Sequence, residues 1–167
     1  MSKPLLNDDL NRQLVAILLR EGRISHAVLA TRLGVSRPTL IERVKRLETE
    51  GIIQGYGARV SPASVLKPIV AYVALRFDES AEPVAETPFL EALEKEPDVL
   101  EAHAITGEDQ LLLKIVADSP AGLQERLKRI RAMGSRVETR TTMVLQTLFA
   151  KPGPLPAEPT GSKARKK

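Results

Sequence analysis

Residues Gly22 to Gly51 read GRISHAVLATRLGVSRPTLIERVKRLETEG and decide the fold of the N-terminal part of the chain. Ser25 and Ser36 each stand where a serine hydroxyl can cap the start of a helix, so the stretch predicts two short helices. Gly34 lies between them and gives the backbone the freedom that a sharp corner between helices requires. The stretch therefore predicts a helix-turn-helix.

The second of these helices has an apolar face and a polar face. Leu40, Val44 and Leu47 recur at helical spacing and predict the buried face. The other side chains can donate to phosphates on the flanks of the helix and reach base edges between them. We interpret this helix as a recognition helix for DNA. The alternative is an ordinary amphipathic helix whose charged face is only solvated.

Two groups of side chains are the candidate DNA contacts. Phosphate contacts are expected from Arg23, Arg37, Arg43 and Arg46, and base-edge contacts from Thr39, Ile41, Glu42 and Lys45. Ser36 caps the helix whether or not it also touches a phosphate. Arg43 lies closest to the buried face, so a structural role is an equal alternative for that residue.

The flanks of this stretch complete a first domain. An apolar stripe over residues 10–18 predicts a preceding helix capped by Asn7 or Asp8, and the three helices share one small core. After Gly51, a glycine suited to end a helix, residues 52–60 predict a strand or a short wing. Two X-Pro pairs then mark residues 61–68 as a hinge linker.

From Ile69 the pattern changes to that of a mixed sheet and two helices. Strands are predicted over 69–77, 99–106, 111–117 and 136–149, with helices that begin at Pro88 and Pro120. This order is that of a ferredoxin-like βαββαβ sandwich, with two helices on one face of a four-stranded antiparallel sheet. Because the first strand is apolar on both faces, we expect a second copy to cover the open face, giving a homodimer.

The chain is thus predicted to be an α+β protein in four parts. These are a three-helix, winged helix-turn-helix domain over 1–60, the hinge over 61–68, the ferredoxin-like domain over 69–149 and a disordered basic tail over 150–167. The net charges of residues 1–60, 61–150 and 151–167 are +4, −4 and +4. A polyanion is therefore expected to meet the first segment and the tail.

Composition excludes several classes of protein. There is no cysteine and there are only two histidines, so neither a disulfide framework nor a conventional zinc site is expected. The first residues lack the features of a signal peptide, and no apolar run reaches membrane-spanning length, so we expect a cytoplasmic protein.

A set of short motifs recurs in a fixed order along the chain. They are Gly22-Arg23-Ile24-Ser25, Leu29-Ala30, Leu33-Gly34-Val35-Ser36, Arg43-Val44-Lys45-Arg46-Leu47-Glu48, Gly51-Ile52-Ile53, Gly55-Tyr56 and Thr106-Gly107-Glu108. From about Asp8 to Phe149 the chain resembles the Lrp/AsnC family of transcriptional regulators. The resemblance implies a helix-turn-helix joined to a sensor domain that forms dimers and often octamers, a tetramer of dimers. It also implies an effector, usually an amino acid, bound near the sensor hairpin at the interface between dimers.

The resemblance places the effector contacts at the hairpin Thr106, Gly107, Glu108, Asp109 and Gln110. A plain hairpin turn is the alternative for the same residues. The family often has an aspartate where this chain has Gln110, so a carboxylate for the effector's ammonium is displaced or missing.

Two further positions depart from the family. Asn11 replaces an acidic residue, a change that we expect to affect only the first helix. Lys67 stands where a glycine is common, from which we expect a stiffer hinge.

An enzyme is the alternative class, because some proteins of this two-domain shape decarboxylate tetrapyrroles with histidine-rich, aromatic surroundings. Here tryptophan is absent and the histidines, His26 and His103, are predicted to be packing or surface residues. We therefore predict no catalytic residue, no metal site and no cofactor, and a regulator that binds double-stranded DNA at an imperfect palindrome.

Overall fold

The structure is a computed structural model that describes residues 5–77, 88–134 and 136–157. The chain divides into two compact units. The first unit consists of the residues up to Ala58 together with those from Phe149 onward. The second unit is Arg59–Leu148.

The first unit contains the predicted helix-turn-helix. Its helices are α1 (Asp9–Arg20), α2 (His26–Leu33) and α3 (Arg37–Thr49). The caps are local, as predicted: the side chains of Asp8, Ser25 and Ser36 accept hydrogen bonds from backbone amides in the first turns of α1, α2 and α3. Gly34 ends α2 with a left-handed φ of 65°, which a glycine adopts without steric cost.

One small apolar core holds the three helices together. Leu14, Leu29, Leu40 and Leu47 are fully buried in it, and Ile17, Leu18, Ile24 and Leu33 are partly buried against it. Burial of this kind stabilises a helical unit by roughly 2 kcal/mol for each fully buried leucine.

Residues 52–60 do not form the strand that was one of the two predictions for this stretch. The amides of Ile52 and Ile53 donate to the carbonyl of Leu47 at 2.9 and 3.1 Å, and both side chains pack against the helical core. Residues 54–60 are extended but belong to no strand in the described part of the chain. The β-branched pair follows the available core rather than its strand propensity.

The second unit is a four-stranded antiparallel sheet with two helices. Its elements are β1 (Ile69–Arg76), α4 (Pro88–Glu94), β2 (Val99–Ala104), β3 (Leu111–Ala117), α5 (Pro120–Met133) and β4 (Glu138–Met143). The strand order is β2-β3-β1-β4. This is the predicted βαββαβ order, with a last strand shorter than the predicted 136–149. Ser119 caps α5 by accepting a hydrogen bond from the Gly122 amide at 3.0 Å.

The two faces of the sheet differ in burial. The face that meets the helices carries Ala71, Val73 and Leu75 of β1, all fully buried with core residues of α4 and α5. The opposite face carries Val70, Tyr72 and Ala74, which pair in register with Val116, Lys114 and Leu112 of β3. Tyr72 at the centre of this open face is 38% exposed. The open face of the second unit is therefore apolar in part, with Val70, Ala74 and Leu112 beside the charged Lys114.

The C-terminal segment follows β4. The described part of the predicted disordered tail, residues 150–157, belongs to no helix or strand. Gly153 lies beside α1, where an added Cβ would be 3.1 Å from Leu19 Cδ2. The basic cluster of the tail lies outside the described residues. Within the described ranges, no helix has both the length and the apolar character needed to cross a membrane.

Candidate DNA-binding and effector sites

Helix α3 presents one continuous exposed face. Leu40, Val44 and Leu47 are buried, as their spacing predicted. The exposed residues of α3 include Arg37, Thr39, Ile41, Glu42, Lys45 and Arg46. These are the candidate contacts, with Arg43 set apart because it is only partly exposed. A helix of thirteen residues with one side free has the dimensions of a major-groove reader.

The cations on and beside this face fall into two classes. Arg37, Lys45 and Arg46, together with the exposed Arg23 ahead of α2, form no ion pair with any residue in the described ranges. Such side chains can reach a phosphate without first breaking an ion pair. Arg43 is different, because its guanidinium is already bound.

Arg43 joins α3 to the start of α1. Its Nη1 donates to Asp8 Oδ2 at 2.6 Å and to Asn11 Oδ1 at 2.8 Å, and Asn11 Nδ2 donates to the Leu5 carbonyl at 2.9 Å. The hydrogen bond from Arg43 holds the pKa of the Asp8 carboxyl below its usual value, against a smaller opposing effect of burial. The structural alternative for Arg43 is therefore favoured. The expectation that Asn11 affects only the first helix is wrong, because Asn11 also contacts α3.

Arg43→Ala should lower the stability of the helix-turn-helix by about 1 kcal/mol at neutral pH, since it removes two hydrogen bonds of a charged donor near the surface. The pKa of Asp8 is depressed in the folded state, so its share of this stability is present above the unfolded value of 3.8 and is lost as the pH falls below it. Thermal melts between pH 3 and 7 should therefore show a difference from wild type that shrinks on the acid side. Arg46→Ala is the control, and an equal loss in that variant would contradict the assignment.

Ser36 and Thr39 are linked at the start of α3. Ser36 Oγ accepts from the Thr39 amide at 3.2 Å, and the two hydroxyl oxygens lie 2.7 Å apart. Both residues are exposed. Ser36 therefore caps the helix as predicted and also fixes the Thr39 side chain on the exposed face.

The hairpin between β2 and β3 contains the candidate effector residues. Thr106, Gly107 and Glu108 form its exposed tip, and Gly107 has a φ of 115°, in the region that favours glycine. Gln110 serves the fold: its Oε1 accepts from the Phe77 amide at 2.9 Å and its own amide donates to the Leu75 carbonyl at 2.9 Å. Its side chain is thus occupied where the family often has a carboxylate.

Two arginines that sequence reasoning missed lie beside the hairpin. Arg140 Nη2 lies 3.5 Å from Asp109 Oδ1 and 3.9 Å from Glu108 Oε2, and Arg76 Nη1 lies 3.6 Å from the same Glu108 oxygen. The Asp109 side chain is 16% exposed, whereas that of Glu108 is 74% exposed. Arg76 ends β1 and Arg140 lies in β4, so only the register of these strands places them together.

Comparison with known proteins places both units in one family. Residues 7–54 match the model for a winged helix-turn-helix DNA-binding domain, and residues 70–154 match the model for the Lrp/AsnC ligand-binding domain. The chain belongs to the Lrp/AsnC family. The fold and family predicted from the sequence motifs are thereby confirmed, and this Lrp/AsnC chain is a transcriptional regulator with a DNA-binding and a ligand-binding domain.

The relatives of this Lrp/AsnC regulator are similar over nearly their whole length. The HTH-type transcriptional regulator LrpA of Mycobacterium tuberculosis is 35% identical over 143 residues, which is 86% of this chain and 93% of that protein. The leucine-responsive regulatory protein of Escherichia coli is 34% identical, over 83% of this chain and 85% of that protein. A solved structure, the feast or famine regulatory protein of M. tuberculosis complexed with L-methionine, has a TM-score of 0.81 at 34% identity and covers 89% of this chain and 99% of its own.

Proposed function

We propose that this regulator binds double-stranded DNA sequence-specifically as a homodimer in the cytoplasm. The observation that supports this proposal is the exposed face of α3. Its cations Arg37, Lys45 and Arg46 form no ion pair with other described residues. Arg23, Arg37 and Arg46 bind phosphates, and Thr39, Ile41, Glu42 and Lys45 face base edges. Arg43 is left out of the phosphate contacts because Asp8 and Asn11 hold it.

The operator is an imperfect palindrome in this proposal. Two α3 helices of a dimer enter successive major grooves about one helical turn apart, and the two-fold symmetry of the protein is mirrored in the DNA. Gel shifts against the region upstream of its own gene, with a scrambled fragment of equal length as control, test this. Equal affinity for both fragments at physiological salt would contradict sequence-specific binding.

The dimer contact is the open face of the sheet. It combines Val70, Tyr72 and Ala74 of β1 with Leu112 and Lys114 of β3, and a second copy related by a two-fold axis would bury the same surface on both sides. Further along the chain Leu145, Leu148 and Phe149 are at least 79% exposed, which adds apolar surface for other copies. We propose a higher assembly of such dimers, a tetramer of dimers, from the resemblance to the family.

Tyr72→Glu should weaken the dimer by about 100-fold or more, because two-fold symmetry brings two like charges together in the contact, which costs several kcal/mol. Lys114, which lies opposite Tyr72 on β3, is already bound to Glu101. Sedimentation velocity across a concentration series measures this. Gln124→Glu on the exposed surface of α5 adds the same charge and should leave the dimer unchanged. A Tyr72→Glu protein that sediments as wild type would show that the dimer uses another surface.

An amino-acid effector at the hairpin completes the proposal. The relative solved with L-methionine shows that a protein of this fold and similar sequence binds an amino acid. In this chain the contacts are Thr106, Gly107, Glu108, Asp109 and Gln110. Gln110 shapes the turn and Glu108 offers an exposed carboxylate to an ammonium group. Arg140 lies within reach of the Glu108 carboxylate and can donate to the effector's carboxylate instead.

Calorimetric titration with L-methionine tests the effector site. We expect Glu108→Gln and Arg140→Gln each to lower effector affinity by about 10-fold, the effect of one lost charge-assisted contact. Lys128→Gln, which removes a cation with an exposed ion pair on α5, is the control. Binding that is equal in all variants would place the effector elsewhere, and no binding of any amino acid to wild type would leave the hairpin as a plain turn. An effector acts on DNA binding only if it prefers one of two states of the protein.

A further inference from the structure

The chain returns to the helical unit after β4. The division of the structure places Phe149 and the residues after it with α1, α2 and α3, although β4 lies in the second unit. Gly153 lies against α1, because a Cβ added there would be 3.1 Å from Leu19 Cδ2. Residues 149–157, which we call the C-terminal segment, therefore belong to the DNA-binding unit.

The composition of the C-terminal segment suits an apolar helix surface. Its centre reads Lys151-Pro152-Gly153-Pro154-Leu155-Pro156, with a proline at every second place. Proline has no amide donor to leave unsatisfied, and such sequences favour the extended polyproline II conformation, which docks on apolar surfaces with little loss of entropy. In the structure Gly153 and Pro156 are only partly exposed.

The close contact accounts for a glycine at position 153. The φ of Gly153 lies outside the left-handed region, so the backbone alone does not require a glycine there. Leu19 lies about 140° around α1 from Leu14, which fills the helical core, and yet its side chain is only partly exposed. The C-terminal segment thus covers a side of α1 that the three-helix core leaves free.

The residues from Phe149 onward also bring positive charge to the DNA-binding unit. Residues 1–58 carry nine Lys/Arg and six Asp/Glu, whereas residues 149–167 carry five and one. The net charge of the unit is therefore +7, against −3 for residues 59–148. Four of the five cations form the basic cluster, which lies outside the described residues: Lys163, Arg165, Lys166 and Lys167. Clustered cations of this kind attract the phosphates of a polyanion.

The contact with α1 lies within reach of DNA bound at α3. Arg43 of α3 contacts Asn11 at the start of α1, and Leu19 follows Asn11 by eight residues, about 12 Å along the helix. Lys163 follows Gly153 by ten residues, which span at most about 36 Å. The basic cluster can therefore reach phosphates beside the groove that α3 is proposed to enter.

We propose that the C-terminal segment docks on α1 and holds the basic cluster beside the DNA as a second phosphate-binding site. This site rests on the proposed binding of DNA by α3. Docking at Gly153 shortens the tether of the cluster to the unit that binds DNA, which raises the effective concentration of its cations there. The cluster adds affinity and salt dependence without base preference, because phosphate contacts carry no sequence information.

A disulfide tests the docking without DNA. The chain has no cysteine, so Leu19→Cys with Gly153→Cys introduces the only two thiols, which can meet with a small movement of the backbone. With the thiol oxidant diamide, we expect an intramolecular disulfide at least about 10-fold faster than in the control, Gln13→Cys with Gly153→Cys, whose thiol on α1 is exposed. A thermal melt verifies that the reduced proteins are folded. Equal rates, or disulfides between chains, would overturn the docking.

Salt titrations test the second phosphate site, and they need no change in a helix. The tail variant carries Lys163→Gln, Arg165→Gln, Lys166→Gln and Lys167→Gln. We expect the slope of its log affinity against log salt to fall by about 2 to 3.5, and its affinity at low salt to fall by about 10-fold or more, with unchanged base preference. The control removes equal charge from exposed cations of the second unit: Lys95→Gln, Lys128→Gln, Arg129→Gln and Arg131→Gln. It should keep the wild-type slope.

The outcomes separate this second site from the proposed function. If wild type binds its operator and the tail variant has the wild-type slope, the second site is overturned and the proposed function stands. A tail variant that binds DNA more tightly than wild type would show that the cluster occupies an acidic surface of the protein, and would also overturn the site. A wild type that binds no DNA would overturn the proposed function together with the site, whereas the disulfide would still decide the docking.

The disulfide-locked protein joins the two tests. With the C-terminal segment fixed on α1, it should keep the wild-type salt slope, because the basic cluster reaches DNA from the docked position. A slope as low as that of the tail variant would show that the segment must leave α1 before the cluster meets DNA, and would overturn the proposed role of docking.

Discussion

Lys45→Ala should change which bases the protein prefers, whereas Arg37→Ala should weaken binding to every sequence alike. Both side chains are exposed on α3 and form no ion pair with other described residues. Lys45 lies on the face between the flanks, where a lost base contact costs about 1–3 kcal/mol, or roughly 5- to 150-fold in operator affinity. Arg37 lies in the first turn, and losing its phosphate contact lowers the slope of log affinity against log salt by about one.

Selection from randomised duplexes gives the base preference of each variant, and anisotropy titrations at several salt concentrations give the slopes. Both variants should melt within about 0.5 kcal/mol of wild type, because each changes an exposed side chain away from the core. Arg43→Ala offers the contrast, since it should lose stability before it loses specificity. The assignment fails if Lys45→Ala and Arg37→Ala have the same base preference and the same slope, or if either unfolds the domain.

The helix-turn-helix could be predicted because its determinants are local. Ser25, Gly34 and Ser36 act on backbone groups within a few residues of themselves, and the structure shows the two caps and the left-handed glycine at those places. The buried face of α3, with Leu40, Val44 and Leu47, could be predicted for a similar reason, because helical spacing alone determines which side chains share a face.

The order of strands and helices along the sensor could be predicted from the sequence, but the pairing of charges could not. Arg43 is hydrogen-bonded to Asp8, 35 residues away in the sequence, and Lys67 to Asp98, 31 residues away. No periodicity encodes such contacts, because they depend on how elements pack. The strand prediction over 52–60 was wrong for the same reason: the strand propensity of this stretch is visible in the sequence, but the packing that brings its first amides to the Leu47 carbonyl is not.

Asp98→Ala should produce the largest loss of stability in the sensor domain, about 3 kcal/mol. Asp98, just before β2, is 4% exposed, and its two side-chain oxygens accept from Lys67 Nζ and from Arg126 Nε of α5. Removing one member of a buried ion network typically costs about 3–5 kcal/mol, because the remaining charges stay desolvated without a partner. We expect a loss at the lower end of this range because the Lys67 side chain is already 33% exposed, and because Arg126 keeps Asp118 as an ion-pair partner at 3.4 Å. Because the chain has two units, amide exchange of β3 under native conditions reports the sensor alone.

A second variant decides whether the loss comes from unpaired charge or from lost packing. Asp98→Leu combined with Arg126→Met removes both charges at the buried end and leaves Lys67, which can turn to water. Replacing a whole buried pair with apolar residues of similar volume is often neutral, so the double variant should recover at least half of the stability lost in Asp98→Ala. If the double variant is as unstable as Asp98→Ala, the loss comes from the shape of the site and not from its charges.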